Sequence, residues 1–365
     1  MDLMSTTTNF KALAKKYDNF SAPAVEITVG STKLMSGKDL DISQVEVELT
    51  SGYEASGCSF VLSGVYDIEK TNFSRDISSV QIGEKVEVAI GYVRLESVFK
   101  GYINQIDYNY GIDSEDFEIR VECMDAKGLL MKNRRLEFFK EKSADAVVKS
   151  ILSESPVNRY LSGKEIDMCP KDDIPLRSHM MTDYELIVEQ ASKLGYEFFI
   201  IQGKAYFRKK QKVKSNLIKL SPQNGIIGAK LSLSGQQLVK KIEVRSIDEE
   251  TGKQIKGFAN VSGKFSQGAS GNMMLGTSTQ VFYEPGVKDA GEAKKRATAR
   301  AEAIADQFGE LECECVGIPE IIPGRFISIE QLSTQANRKY YVRYVRHEID
   351  EEGYRTYFKA GVSSL

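Results

Sequence analysis

Between residues 24 and 125 the chain reads as a succession of short apolar or alternating segments. These are AVEITVG, QVEVELT, CSFVLSG, EKVEVAIGY, SVFKGYINQIDY and FEIRVECMD, separated by Gly, Asn, Asp and Ser. Alternation places one side of each segment against a core and the other in water, a two-residue period that a helix cannot carry. Turn residues at this spacing favour short strands closed into a barrel or sandwich. The pattern predicts a first β-barrel domain over residues 24–130. Ahead of it lies an N-terminal arm, 1–23, in which NFKALAKKY forms a short helix before the Ser21-Ala22-Pro23 break.

The period then changes. In SADAVVKSILSE, Ser143 is the expected N-cap, Ala146, Val147, Ser150 and Ile151 form one helical face, and Pro156 ends the helix. Further on, MTDYELIVEQASKLGYEFFIIQGKAYFRK carries a capping box: Thr182 accepts from an early amide, and Glu185 reaches back to the cap. Tyr184, Ile187, Val188, Ala191 and Leu194 make the expected inner stripe, and Gly195 suits the left-handed residue that closes a helix. YEFFII and KAYFRK, joined across Gln202-Gly203, read as a hairpin. Residues 131–212 are therefore expected to form an α/β insert domain.

Strand patterns return in LIKLSP, AKLSLSG and LVKKIEVRSID, followed by a glycine-bearing tract, GKFSQGASGNMMLGTST, read as a flexible loop with Gly263, Gly268, Gly271 and Gly276. A long helix is expected over 289–308, capped by Asp289 with Glu292. Its inner stripe is Ala290, Ala293, Ala297, Ala301, Ile304 and Phe308, with Gly309 beyond. Small residues on that stripe permit close packing. Strands from LECECVG to YRTYFKAGV complete a second β-barrel domain, 213–365. The fold class expected is α+β, predominantly β: two related β-barrels, an α/β insert between them, and a long helix in the C-terminal half.

The two barrels are called related because of an internal echo. IGEKVEVAIGYVRLESVFKGYINQID opens on Gly83, then Val86 and Val88; PGRFISIEQLSTQANRKYYVRYVRHEID opens on Gly324, then Ile327 and Ile329. A loop, an aromatic-rich strand and an Ile-Asp pair follow in each, Ile106-Asp107 and Ile349-Asp350, so one short gap aligns them.

Composition narrows the function classes. Lys and Arg total 49 against 51 Asp and Glu, which gives no general electrostatic footprint for stable nucleic-acid binding. No run reaches the ~18 apolar residues of a membrane span, and no membrane insertion is expected. The N-terminus lacks the apolar core of a secretory signal, so the expectation is synthesis in a cytoplasm. Five scattered cysteines (Cys58, Cys123, Cys169, Cys313, Cys315) argue against a disulfide framework. Cys313 and Cys315 share one face of a strand, but no second pair or nearby histidine completes the roughly four ligands of a metal site. There are only two histidines, His179 and His347, which excludes a multi-histidine metal site within one chain, and His347 reads as a packed or hydrogen-bonded strand residue. Arg208, Lys209, Lys210, Lys212 and Lys214 read as a solvated hairpin end, and Glu249-Glu250 and Glu351-Glu352 as turn residues. There is no G-x-S-x-G elbow and no P-loop. Catalytic, cofactor-binding and metal-binding residues are all expected to be none.

The closing segment, GIPEIIPGRFISI followed by YYVRYVRHEIDEEGYRTYF, resembles the end of the phage late control D proteins, which are similar to the N-terminal hub part of VgrG spike proteins. The Ala-rich helix, the DYEL…LGYEFF module and the FKGYI strand resemble that family in the same order, over residues 25–360. The resemblance implies a non-enzymatic baseplate hub of a contractile tail or tail-like injection particle, made in the bacterial cytoplasm and built as a homotrimer with two barrels per chain. Six quasi-equivalent units would then join a sixfold inner tube protein to a threefold spike, among other baseplate proteins. The chain ends at Leu365, after the last strands, so the resemblance is to the short form and the spike is expected to be a separate protein. Two other readings stand beside it: a β-rich module binding cell-wall glycan, which zero Trp does not favour, and a cell-wall hydrolase.

Overall fold

The computed structural model describes residues 3–34, 41–67, 70, 72–73, 77–111, 117–139, 143–170, 177–248, 250–261 and 268–362. The arm carries helix α1 (Phe10–Lys16), capped by the Asn9 side chain. The first β-unit opens with β1 (Ala24–Val29), β2 (Thr32–Leu34), β3 (Asp41–Thr50) and β4 (Gly57–Ser63). A short pair follows, β5 (Tyr66–Asp67) and β6 (Asn72–Phe73), and then β7 (Lys85–Gly91), β8 (Leu95–Tyr110) and β9 (Phe117–Met124). Alternate residues turn inward: Val45, Val47 and Leu49 of β3 and Ile119, Val121 and Cys123 of β9 are all buried.

The insert contains α2 (Lys127–Leu130), β10 (Arg134–Phe138), α3 (Ala144–Ile151), β11 (Gly163–Ile166) and β12 (Arg177–Thr182), then α4 (Asp183–Leu194), β13 (Tyr196–Ile201) and β14 (Lys204–Lys209). Its core unites Leu130, Val147, Ile151, Ile187, Phe198 and Phe207. Both residues of the β13–β14 turn, Gln202 (φ 52°) and Gly203 (φ 72°), are left-handed, as a two-residue hairpin turn matched to strand twist requires. The buried face of α3 differs from the sequence expectation: it is Ala144, Val147, Val148 and Ile151, with Ala146 and Ser150 only half-buried. That set is the full i, i+3, i+4, i+7 stripe, more apolar than its neighbour. The helix also stops at Leu152, ahead of Pro156. In α4, Leu186 and Gln190 join the buried face while Val188 and Leu194 are half-buried, because the helix packs on α3 as well as on β13.

The remainder runs through β15 (Asn216–Leu220), β16 (Ile226–Leu233), β17 (Lys241–Ile247), β18 (Gln254–Asn260), α5 (Gly268–Leu275), β19 (Thr279–Tyr283) and α6 (Ala290–Ala305). It ends with β20 (Gly309–Val316), β21 (Phe326–Ile329), β22 (Lys339–Asp350) and β23 (Gly353–Val362). Strands β18, β17 and β19 form a separate sheet covered by α6, with a hydrophobic cluster of its own. The buried stripe of α6 is Ala293, Ala297, Ala301 and Ala305, a strict i, i+4 row; Ala290 is exposed and Ile304 half-buried. Close approach explains the alanines: a Cβ added at Gly257 of β18 would lie 2.2 Å from the Lys294 amide nitrogen.

Two expectations change in this region. The tract read as a flexible loop holds α5, with Gly268 and Gly271 in the helix and Gly276 in the left-handed region just past it; Gly263 lies outside the described residues. Glycine disfavours a helix by ~1 kcal/mol per residue, but the turn is anchored by buried Leu275. Gly309 does not close α6, whose C-cap is Asp306. It starts β20, where a Cβ would meet Val362 Cγ1 at 2.5 Å.

The fold is α+β and predominantly β. Its main sheet has the order β16-β20-β23-β22-β3-β4-β9-β8-β7-β1-β2, with β21 pairing both β22 and β15. The two β-units are thus one hydrogen-bonded sheet over one continuous core, from Val45 and Phe60 to Ile327 and Phe358.

Candidate assembly interface

Strand β22 is shared. Lys339–Tyr341 pair with β21, while Tyr344–Ile349 pair antiparallel with Thr50–Val45 of β3. The change of partner falls at a register shift between Val342 and Tyr344, where Arg343 O accepts from Ser51 N at 2.9 Å. Past this bulge, Val345 and His347 turn inward opposite Leu49 and Val47, and all four are buried. On the outer side Arg346 stands 3.8 Å from Glu46, and Tyr344 OH donates to Glu48. This junction welds the two β-units.

The first unit repeats the same construction. Gly83 (φ 87°) donates its N–H to Ile103 O and receives the chain back through Ile103 N to Glu84 O, both at 2.9 Å. Gly324 (φ 82°) donates to Val342 O at 3.0 Å, and Val342 N donates to Arg325 O at 2.9 Å. Strand β8 has its own register shift between Ile103 and Gln105, matching Val342 and Tyr344. Val86 and Val88, like Ile327 and Ile329, are buried. The order β3-β4-β9-β8-β7-β1 coincides with β16-β20-β23-β22-β21-β15, except that β1 joins antiparallel and β15 parallel. One step of the sequence echo is corrected. The bulges align Ile106 with Val345, so Ile106-Asp107 and Ile349-Asp350 are four residues out of step. An inward apolar residue followed by an outward acid is common to many half-buried strands, which makes that pair a poor marker of register.

The repeat leaves two edges unequal to their counterparts. Among the described residues, β8 beyond Ile103 has β9 on one side and no strand on the other, and β16 has β20 alone.

The capping residues hold the insert in shape. Thr182 Oγ1 accepts from Glu185 N at 3.1 Å, Glu185 Oε2 accepts from Thr182 N at 2.7 Å, and Gly195 adopts φ 68°. Those bonds to Thr182 keep the Glu185 carboxyl below its ordinary range. At α6, Asp289 Oδ1 accepts from Glu292 N at 2.8 Å, but Glu292 answers to Lys288 N instead of the cap residue.

Buried ionic contacts then fix the insert and the arm to the sheets. Glu197 of β13 accepts from Arg208 Nε at 3.0 Å and from Tyr341 OH at 2.6 Å, while Arg208 Nη2 donates to Gly324 O at 2.9 Å. Burial opposes both charges and raises the Glu197 carboxyl, while the facing Glu197 holds the Arg208 guanidinium above its ordinary value. Arg325 donates to Leu3 O and Thr6 O, both at 2.6 Å. Lys16 spans Glu96 of the first unit and Glu320 of the second, at 2.6 and 2.7 Å. Glu197 and Arg208 face each other across the β13–β14 hairpin. The contacts of Tyr341, Gly324, Arg325 and Lys16 join residues far apart in the chain, and none of the sequence patterns had pointed to them.

The residues with catalytic or ligating chemistry are placed as follows. His347 is fully buried; Ile321 O can only accept, so Nε2 carries the proton and Nδ1 accepts from Tyr354 OH at 2.9 Å. Burial pushes its pKa down to about 4. Of His179 only the backbone, in β12, is described. Cys58, Cys123, Cys313 and Cys315 are buried free thiols, and burial pushes Cys313 up to about 12. Among the described residues no group of three or more His, Cys, Asp or Glu could hold a metal ion. The basic run is solvated at Lys209, Lys212 and Lys214, which are exposed, and departs from that reading at Arg208 and Lys210. Arg208 is buried, Lys210 pairs with Asp306, Lys212 pairs with Asp167, and Lys214 lies over the Phe326 ring. Glu351 and Glu352 sit in the β22–β23 turn, and Glu249 lies outside the described residues. No described helix is long and apolar enough to cross a membrane.

With this architecture in view, solved structures of the same fold can be named. A prophage MuSo2 43 kDa tail protein from Shewanella oneidensis superposes with a TM-score of 0.70 at 13% identity, covering 93% of this chain and 98% of that one. A tail protein from Neisseria meningitidis MC58 gives 0.71 at 11%, covering 94% and 100%. The E. coli c3393 protein, a type VI secretion system component described as structurally similar to T4 bacteriophage tail proteins gp27 and gp5, gives 0.58 at 12%, covering 92% and 76%. At these identities the likeness establishes a shared fold. The chain belongs to the Alg8 N-terminal domain family, whose model matches residues 26–351. No curated protein sequence matches it.

Proposed function

We propose that this chain is a structural baseplate hub of a contractile phage tail or tail-like injection particle, a homotrimer joining a sixfold inner tube to a threefold spike made by a separate protein. The observation that carries the reading is the duplicated strand order, in which one chain holds two copies of one unit. Three such chains present six similar edges to a tube and three whole chains to a spike. The tail proteins that share the fold, and the secretion-system component among them, support the same class. The resemblance to late control D proteins and to the VgrG hub specifies the place within it. The chain is made in the bacterial cytoplasm and carried into the baseplate, where it meets tube, spike and other baseplate proteins. Its chemistry is mechanical: buried ion pairs and a continuous sheet give a rigid collar. Light scattering of the purified chain and electron microscopy of assembled particles test this. A trimer, seen as a threefold collar under the tube, is expected. A stable monomer absent from particles would overturn the proposal.

A further inference from the structure

The β22–β3 junction is a template for contacts the isolated chain does not make. If β8 corresponds to β22, and β16 to β3, the open edge of β8 has the shape of a strand that expects β16, from another copy. Transferring the register through the bulges and the paired strands β9/β23 and β4/β20 sets Ile106 opposite Leu233, Tyr108 opposite Leu231 and Tyr110 opposite Ala229.

Three independent features agree with that register. First, the inward residues it matches are incompletely covered in the single chain: Tyr108 is 44%, Tyr110 60% and Leu233 43% exposed, and Ile106 and Leu231 are half-buried. The counterparts of the three exposed residues at the internal junction are His347 and Leu49, both buried, and Ile349, half-buried. Second, the backbone polarity matches. Ile103 N bonds toward β7, and the one extra residue of the bulge between Ile103 and Gln105 shifts the alternation beyond it by one, so the N–H groups of residues 106, 108 and 110 point to the open edge. Ser234 N bonds toward Phe308, so those of 229, 231 and 233 do the same on β16. Third, the outer faces are compatible: Lys230 falls opposite Asn109 and diagonal to Asp107, an arrangement that attracts across strands. Long unpaired apolar edges are normally avoided in proteins that act alone.

We propose that β8 of one copy pairs antiparallel with β16 of the next in this register. The inference rests on the hub reading, whose ring it closes. Two different edges meet, so the association is head-to-tail and ends only when a ring shuts. The sheet then runs through each copy as β16-β20-β23-β22 and β3-β4-β9-β8, with every junction built alike.

The test is a pair of cysteines in the full chain, Asn109→Cys with Lys230→Cys. Both positions are exposed and outward, at a cross-strand site where Cα atoms lie ~4.5 Å apart, within disulfide range. Mild oxidation is expected to give covalent multimers that stop at three. Asn109→Cys with Ser234→Cys, displaced by ~13 Å along the strand, is expected to stay unlinked. Leu231→Pro removes an open-edge N–H without touching the β16–β20 ladder; it is expected to give folded monomers of unchanged circular dichroism. An oligomer by light scattering in which the matched pair does not link overturns the edge pairing and leaves the hub reading standing. A monomer with no link overturns both. Equal linking by the displaced pair overturns the register.

Discussion

The two glycines that open the repeated hairpins provide a controlled perturbation, because they share a backbone conformation but not surroundings. Gly83 and Gly324 have φ of 87° and 82°. Alanine in the left-handed region costs ~1–2 kcal/mol, partly offset by ~0.4–1 kcal/mol from the stiffer unfolded chain. Gly83→Ala should therefore destabilise by about 1 kcal/mol, since its Cβ would find only Tyr160 OH, at 3.8 Å. At Gly324 the same Cβ would lie 2.8 Å from Phe199 Cζ, 3.0 Å from Arg208 Nη2 and 3.2 Å from Met4 Cε. Insert, arm and second β-unit converge there. Overpacking adds ~1–3 kcal/mol, so Gly324→Ala should cost about 2–4 kcal/mol in all. Urea denaturation followed by far-ultraviolet circular dichroism, at one protein concentration, compares the two midpoints directly. Equal shifts, or a larger one for Gly83→Ala, would refute the claim that three parts of the chain are locked at Gly324.

Other outcomes follow from buried groups. His347 titrates at about 4 when folded and near 6.5 when unfolded, so the unfolded chain takes up the proton first. Its contribution is complete above pH 6.5 and is lost between 6.5 and 4, by about 3 kcal/mol in total. His347→Gln should flatten that part of the stability–pH curve, and an unchanged slope would remove His347 as its source. Gly257→Ala drives a Cβ into the backbone of α6, so a loss at or above the top of the ~1–3 kcal/mol range is expected. Thermal melting checks it, and a wild-type midpoint would disprove the close approach of β18 and α6.

What the sequence determined by itself is local. The two-residue period placed β3, β4, β7, β8 and β9; the capping residues Thr182, Glu185 and Asp289 marked where α4 and α6 begin; Gln202-Gly203 marked a hairpin. These signals depend only on neighbours a few residues away, and alternation or a cap is visible in any such window. The Gly83 and Gly324 echo was legible for the same reason, because a left-handed residue before a strand nearly demands glycine. Tertiary structure decided the rest. Which stripe of α3 or α6 is buried depends on what lies against it, and α5 forms where only a distant core repays its glycines. Glu197 and Arg208 meet across a local hairpin, but their burial against Tyr341 and Gly324 is settled by an insert folding back on the second unit. The β22–β3 weld and the two open edges come from strand pairing between segments about 300 residues apart. Backbone hydrogen bonds carry no side-chain signature of their partner, so no reading of one strand alone could name the strand that completes it.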